Sequence, residues 1–212
     1  MPACGGQSLL SRQPALQCGN LGGDRVEERR RLTAPVLKRE ASNLGAGDEI
    51  LLSGVIYTAR DAAHKRMSDA LARGEKLKVD LSGAVIFYAG PSPARPGEPT
   101  GSIGPTTSYR MDPYTPLLLE LGVKGMIGKG ERAEEVVTSM KKNGAVYLGA
   151  TGGIAALLAR TVVSSRVLDY EDLGPEALRE LEVRDMPLVV LIDSLGNSMY
   201  REGPAKYAKS RE

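Results

Sequence analysis

The apolar positions of the chain switch repeatedly between strand-like and helical spacing. After a Gly47-Asp48 turn, the run from Glu49 to Tyr57 is rich in β-branched and apolar residues and predicts a strand. Arg60 to Arg73 follows with Ala63, Met67, Ala70 and Leu71 at helical spacing, and Thr58 with Asp61 three residues on predicts a capping box at its start. Ala84-Val85-Ile86-Phe87-Tyr88 predicts a second strand. The segment from Gly90 to Pro105 then breaks the pattern with five of the thirteen prolines. A loop of that length inside a compact domain is more often functional than accidental.

Beyond the loop the period alternates. Helical stretches at Pro113 to Leu121, Arg132 to Lys142 and Gly152 to Arg160 alternate with strands at Gly125 to Ile127, Ala145 to Leu148 and Arg166 to Leu168. A short helix near Pro175 to Leu181 is expected before Leu188 to Asp193, the most apolar strand of the chain. Strands alternating with helices of about ten residues indicate an α/β fold with a partly parallel sheet and flanking helices. The first half, richer in strand and loop, is expected to form a separate β layer. Neither solenoid repeats nor heptads are visible.

The first 28 residues carry no apolar period, and the Leu9-Leu10 pair is too short for a signal-peptide core. They read as a flexible N-terminal extension (1-28), which leaves residues 29-212 as one domain, a division that suits a chain of 212 residues. With 42% hydrophobic and 25% charged residues the composition is that of an ordinary globular protein. The 28 Lys+Arg nearly balance the 26 Asp+Glu, so electrostatics gives no case for nucleic acid. No apolar run approaches the length needed to span a bilayer. Two Cys and one His cannot build a self-contained metal or iron–sulfur site, so no metal ligands are expected here. Cys4 and Cys18 could form a disulfide or stay as two thiols; the second fits a chain of this size in a reducing cytoplasm.

Four stretches carry candidate chemistry. Gly149-Ala150-Thr151-Gly152-Gly153 joins a strand to a helix, where an anion could meet helix-terminal N–H groups, but a tight packing turn explains it better. Arg60 and His64 are four apart and share one helical face, so a guanidinium that grips a carboxylate would lie beside an imidazole. In Gly101 to Asp112 three hydroxyls, Thr106, Thr107 and Ser108, follow a Gly-Pro turn and precede Arg110, a set suited to negative charge. Lys129 stands between glycines at a strand's end, where open α/β sheets bind ligands. Together these cations suggest a substrate with two carboxylates.

Leu52 to Arg66 (LSGVIYTARDAAHKR), Gly104 to Asp112 (GPTTSYRMD), Met126 to Gly130 (MIGKG) and Asp169 to Ala177 (DYEDLGPEA) closely resemble the β subunit, or C-terminal domain, of class I iron–sulfur fumarate hydratases and the related L-tartrate dehydratases. The resemblance covers about residues 30 to 205 and leaves both cysteines outside. It implies a swivelling β/β/α-type domain that closes over a [4Fe-4S] cluster held by a separate α subunit, whose unligated iron serves as Lewis acid. By position it implies that Arg60, Arg110 and Lys129 clamp substrate carboxylates, that Thr106 takes the proton from carbon with Arg110 lowering its pKa, and that His64 orients the group. It further implies reversible hydration of fumarate to (S)-malate by a cytoplasmic heterodimer or heterotetramer, with L-tartrate dehydration as the alternative. A non-catalytic anion-binding module is the rival from another class.

Overall fold

A computed structural model of the chain describes residues 29–150 and 153–208. The expected N-terminal extension, Cys4 and Cys18, and Thr151 and Gly152 of the glycine-rich turn lie outside the described residues. The elements in order are β1 (Arg30–Ala34), α1 (Lys38–Ser42), β2 (Glu49–Thr58), α2 (Asp61–Ala72), β3 (Val85–Phe87), a 3-10 turn (Ser108–Met111), α3 (Thr115–Glu120), β4 (Gly125–Gly128), α4 (Glu134–Asn143), β5 (Val146–Gly149), α5 (Ala155–Ala159), β6 (Val162–Asp169), a second 3-10 turn (Glu171–Glu176), β7 (Leu178–Ile192) and α6 (Met199–Ala208).

The seven strands form one sheet in the order β1-β2-β3-β4-β5-β7-β6, and a further β2–β7 pairing closes it. The resulting ring is β2-β3-β4-β5-β7, with β1 and β6 attached outside. β1 to β5 are mutually parallel, whereas β7 runs antiparallel to β2, β5 and β6. β7 closes the ring because it is 15 residues long: Arg179 to Val189 pair with β2, and Val189 to Ile192 reach β5. The expected α/β fold with a partly parallel sheet and flanking helices is present.

Alternation along the strands sorts the core into two parts. Val85 and Phe87, Ile127, Val146 and Leu148 point into the ring with Ile50, Leu52, Ile56, Leu181, Val183 and Leu188. Their neighbours Ile86, Tyr88, Met126 and Tyr147 point outward onto α2, α3 and α4 through Ala63, Met67, Leu118, Val136 and Met140. Both faces are therefore apolar, which is why these strands read as continuous hydrophobic runs. α4 is well matched to its ends, with Glu134 and Glu135 in the first turn, Lys141 and Lys142 in the last, and Gly144 left-handed (φ 62°) at its close.

Three sequence expectations are corrected. The first half does not form a separate β layer, because β2 hydrogen-bonds to both β3 and β7 of the single sheet. No helix spans Pro175 to Leu181: a 3-10 turn ends at Glu176 and β7 begins at Leu178. The local propensity for helix yields there to pairing on both edges, with β2 and with β6. The Thr58/Asp61 capping box is absent, since Arg60 occupies the N-cap without a side-chain cap and Thr58 Oγ1 is buried without a partner. Two elements were not anticipated: β1, whose five residues are too few to show a period, and α6, which contains Pro204.

Candidate functional site

The parallel strands β2, β3 and β4 end on the same side of the ring, and each leads within two residues into a residue of this end. Arg60 follows β2, Tyr88 follows β3 and Lys129 follows β4. The carboxyl ends of parallel strands are where sheets of this type leave room for ligands.

The loop after β3 brings its hydroxyls to this place by folding back on itself. Ser92 N–H donates to Ser102 O at 3.0 Å and Ile103, fully buried, donates to Ala155 O at 3.2 Å. Thr106 then docks on β3, its N–H and its Oγ1 both donating to Tyr88 O at 2.7 Å. A short parallel bridge joins Thr107 to Lys129: Lys129 N–H donates to Thr106 O at 3.2 Å and Ser108 N–H to Lys129 O at 2.9 Å. Thr106 and Lys129 are thus backbone neighbours although 23 residues separate them in sequence. The Lys129 side chain is exposed and makes no hydrogen bond or ion pair among the described residues.

Arg60 and Arg110 converge on one carboxylate. Arg110 Nη1 lies 2.8 Å from Asp61 Oδ2, and Arg60 Nε lies 3.8 Å from Asp61 Oδ1. Arg60 Nη2 also lies 3.3 Å from Glu176 Oε1. Arg60 Nε and Asp61 Oδ1 are both buried with no hydrogen-bond partner, so this ion pair is held by charge and not by a directed bond. Gly90 makes room for the Arg60 guanidinium: a Cβ there would stand 2.9 Å from Pro175 O and 3.3 Å from Arg60 Nη1.

His64 is fully buried behind this pair. Its Nδ1 donates to Arg60 O at 2.9 Å, its ring meets Tyr88 edge-on at 5.3 Å, and Nε2 has no partner. Burial pushes the imidazole down to about 4, against the smaller opposing effect of the Arg60 carbonyl, so His64 is neutral at pH 7. It has no surface from which to reach a ligand. It braces the residue that carries Arg60.

The structure therefore brings Arg60, Arg110, Thr106, Lys129 and, from behind, His64 to one end of the ring. It does not join Arg110 to Thr106: the guanidinium faces Asp61, and no hydrogen bond links the two among the described residues. Sequence reasoning missed Glu176 and a second, buried cluster. Arg132, with a side chain 0% exposed, donates to Asp112 at 2.7 Å and Thr115 at 2.9 Å and lies over the rings of Tyr88 (5.3 Å) and Tyr147 (5.1 Å). No local signal marks Arg132, because it sits at the edge of a helical pattern and most of its partners are distant in sequence.

The described residues offer no group of three or more His, Cys, Asp or Glu able to hold a metal ion. The one imidazole is buried and both thiols are outside the described residues, so an iron–sulfur cluster finds no ligand set among them. No described helix is long and apolar enough to cross a membrane.

Comparison with known proteins agrees with the motifs. The family described as Fumarase C-terminus matches residues 11–203. The chain is 41% identical over 182 residues to the putative L(+)-tartrate dehydratase subunit beta of Methanocaldococcus jannaschii, an alignment that covers 82% of this chain and 93% of that one. It is 36% identical over 166 residues to fumarate hydratase 2 of Leishmania major and 36% identical over 165 residues to the aerobic class I fumarate hydratase of Escherichia coli K12. Those two alignments cover 77% of this chain but only 29% and 30% of the relatives, so the chain corresponds to less than a third of either fumarate hydratase. With the family matched across most of its length and its motifs gathered at one end of the closed sheet, the chain belongs to the fumarase C-terminal family.

Proposed function

We propose that the chain is the β subunit of a hydro-lyase that interconverts fumarate and (S)-malate, completed by a separate α subunit that carries a [4Fe-4S] cluster. The observation that carries the reading is the convergence of Arg60 and Arg110 on Asp61 with directed hydrogen bonds left unmade. Guanidinium groups held in this way can exchange an internal carboxylate for that of a ligand, gaining the bidentate geometry that the internal pair lacks. Lys129, whose side chain is exposed and whose backbone N–H donates to Thr106 O, would take the second carboxylate.

The reaction removes a proton from an unactivated carbon. A threonine hydroxyl takes that proton only as an alkoxide, and the Thr106 proton is engaged with Tyr88 O. Thr106 as the base therefore requires nearby positive charge, and Lys129 is the better source, since Arg110 is already balanced by Asp61. The domain swivels to bring this end of the ring against the α subunit, in the cytoplasm, as a heterodimer or heterotetramer.

A second reading, L-tartrate dehydration, is favoured by the match over 93% of the Methanocaldococcus jannaschii chain, a putative L(+)-tartrate dehydratase subunit beta. One experiment separates them: co-expression with the cognate α chain, anaerobic reconstitution, and turnover on fumarate, (S)-malate and L-tartrate. Malate–fumarate interconversion is expected. Turnover of tartrate alone would transfer the assignment to the second reading, and ligand binding without turnover of any dicarboxylate would leave the anion-binding module.

A further inference from the structure

A buried hydroxyl links the two halves of the proposed site. Tyr147, the second residue of β5, is fully buried, and its OH donates to Gly130 O at 3.0 Å. That uses its single proton, so in the 2.8 Å contact with Ser108 Oγ the serine is the donor. Ser108 closes the Thr106–Ser108 segment, and Gly130 ends the turn that holds Lys129. One phenol therefore ties the strip bearing Thr106 to the turn bearing Lys129. Burial raises the Tyr147 hydroxyl above its ordinary value and keeps it protonated, as the donated bond requires.

Two features show that the arrangement is built. Gly128 has no side chain where Ser108 approaches: a Cβ there would collide with Ser108 Oγ and stand 2.9 Å from the Tyr88 ring. Arg132 lies 5.1 Å from the Tyr147 ring centre and 5.3 Å from that of Tyr88, held in place by Asp112 and Thr115. Tyr88 is in turn the residue whose carbonyl receives Thr106 Oγ1. The guanidinium thus braces both rings on which the strip rests.

We propose that Tyr147 is a positioning residue, steadied by Arg132, whose hydroxyl ties Ser108 to Gly130 and so fixes the Thr106 hydroxyl relative to Lys129. The proposal rests on the roles assigned above to Thr106 and Lys129. Tyr147→Phe keeps the ring under Arg132 and removes only the tie.

In the reconstituted two-subunit enzyme, Tyr147→Phe is expected to lower kcat about tenfold while the dicarboxylate KM moves less than about twofold, because the cationic clamps stay in place. Ser108→Ala should do the same, and the double variant should lose little more than either single one, as expected of two groups that act through one bond. An unchanged kcat in Tyr147→Phe, or losses that multiply in the double variant, would overturn the proposal. Amide hydrogen exchange on the full chain alone gives a readout independent of turnover. In Tyr147→Phe the amides of Ser108 and Gly130 should exchange at least tenfold faster while those of the β2–β7 ladder keep their rates; equal protection in both proteins would also overturn it. If the wild-type complex turns over no dicarboxylate, the functional reading fails while the exchange result still decides whether the tie exists.

Discussion

Two arginine clusters lie on the same side of the ring and are held in opposite ways. Around Arg132 the guanidinium is enclosed, donates to Asp112 and Thr115, and is sandwiched near two tyrosine rings. Around Asp61, Arg60 and Arg110 remain partly open, and the two nearest atoms of one ion pair have no hydrogen-bond partner. A buried guanidinium with its bonds complete is committed to structure, whereas one that keeps donors in reserve can still bind something. His64 connects the two, bonded to the Arg60 carbonyl and packed on the ring of Tyr88.

The contrast can be broken at four points. Arg132→Met should destabilise the chain by about 3–5 kcal/mol, the cost of leaving a buried partner charge uncompensated, measured as a fall in urea midpoint at pH 7. A cost below about 1 kcal/mol would mean that the buried cluster is no more structural than a surface pair.

His64 should make stability depend on pH between its ordinary 6.5 and its folded value of about 4. The unfolded chain binds the proton more tightly, so stability is lost as pH falls through that window and is fully present above 6.5. The difference corresponds to about 3 kcal/mol by pH 4 at the linkage of 1.36 kcal/mol per pKa unit. A His64→Gln variant should show a flatter dependence over that window in urea titrations; the same slope in both proteins would place the titrating group elsewhere.

Arg110→Ala should have the reverse profile of Arg132→Met. Its stability is expected to stay within about 1 kcal/mol of wild type, as for a partly exposed ion pair, while kcat/KM in the reconstituted enzyme falls about a hundredfold, equivalent to about 2.7 kcal/mol of lost charge-assisted binding. Retained activity would remove Arg110 from the site. The smallest effect is expected for Arg60→Lys, which preserves charge and loses the fork; about a tenfold rise in dicarboxylate KM should result. An unchanged KM would mean that only the charge of Arg60 is used.

Much of this was readable before the structure. The strand at Ala84 to Tyr88 and the helix at Arg132 to Lys142 announced themselves because their periods are set locally by burial on one or both faces. Arg60, Arg110, Thr106 and Lys129 were recognisable as members of ordered motifs, and the topology accounts for why motifs so distant in sequence recur together. What local pattern could not show was pairing. The helical composition of Pro175 to Leu181 gives way to strand because β2 and β6 already offer hydrogen-bonding edges there. The ion pair of Arg110 was hidden for the same reason: Asp61 is distant in sequence and near only in space. Arg132 lay hidden because nothing in a helix start distinguishes a buried cation from a solvated one.

The ring is closed by β7, the last strand among the described residues. During synthesis β1 to β5 can assemble side by side as soon as they emerge, yet β2 and β5 each keep an open edge until Leu178 to Ile192 has been made. Contacts between β2 and β7 join residues more than 120 positions apart, and pairings of that range form late and slowly. A nascent or truncated chain ending before Leu178 would display the cationic face already grouped on an unfinished sheet with adhesive edges.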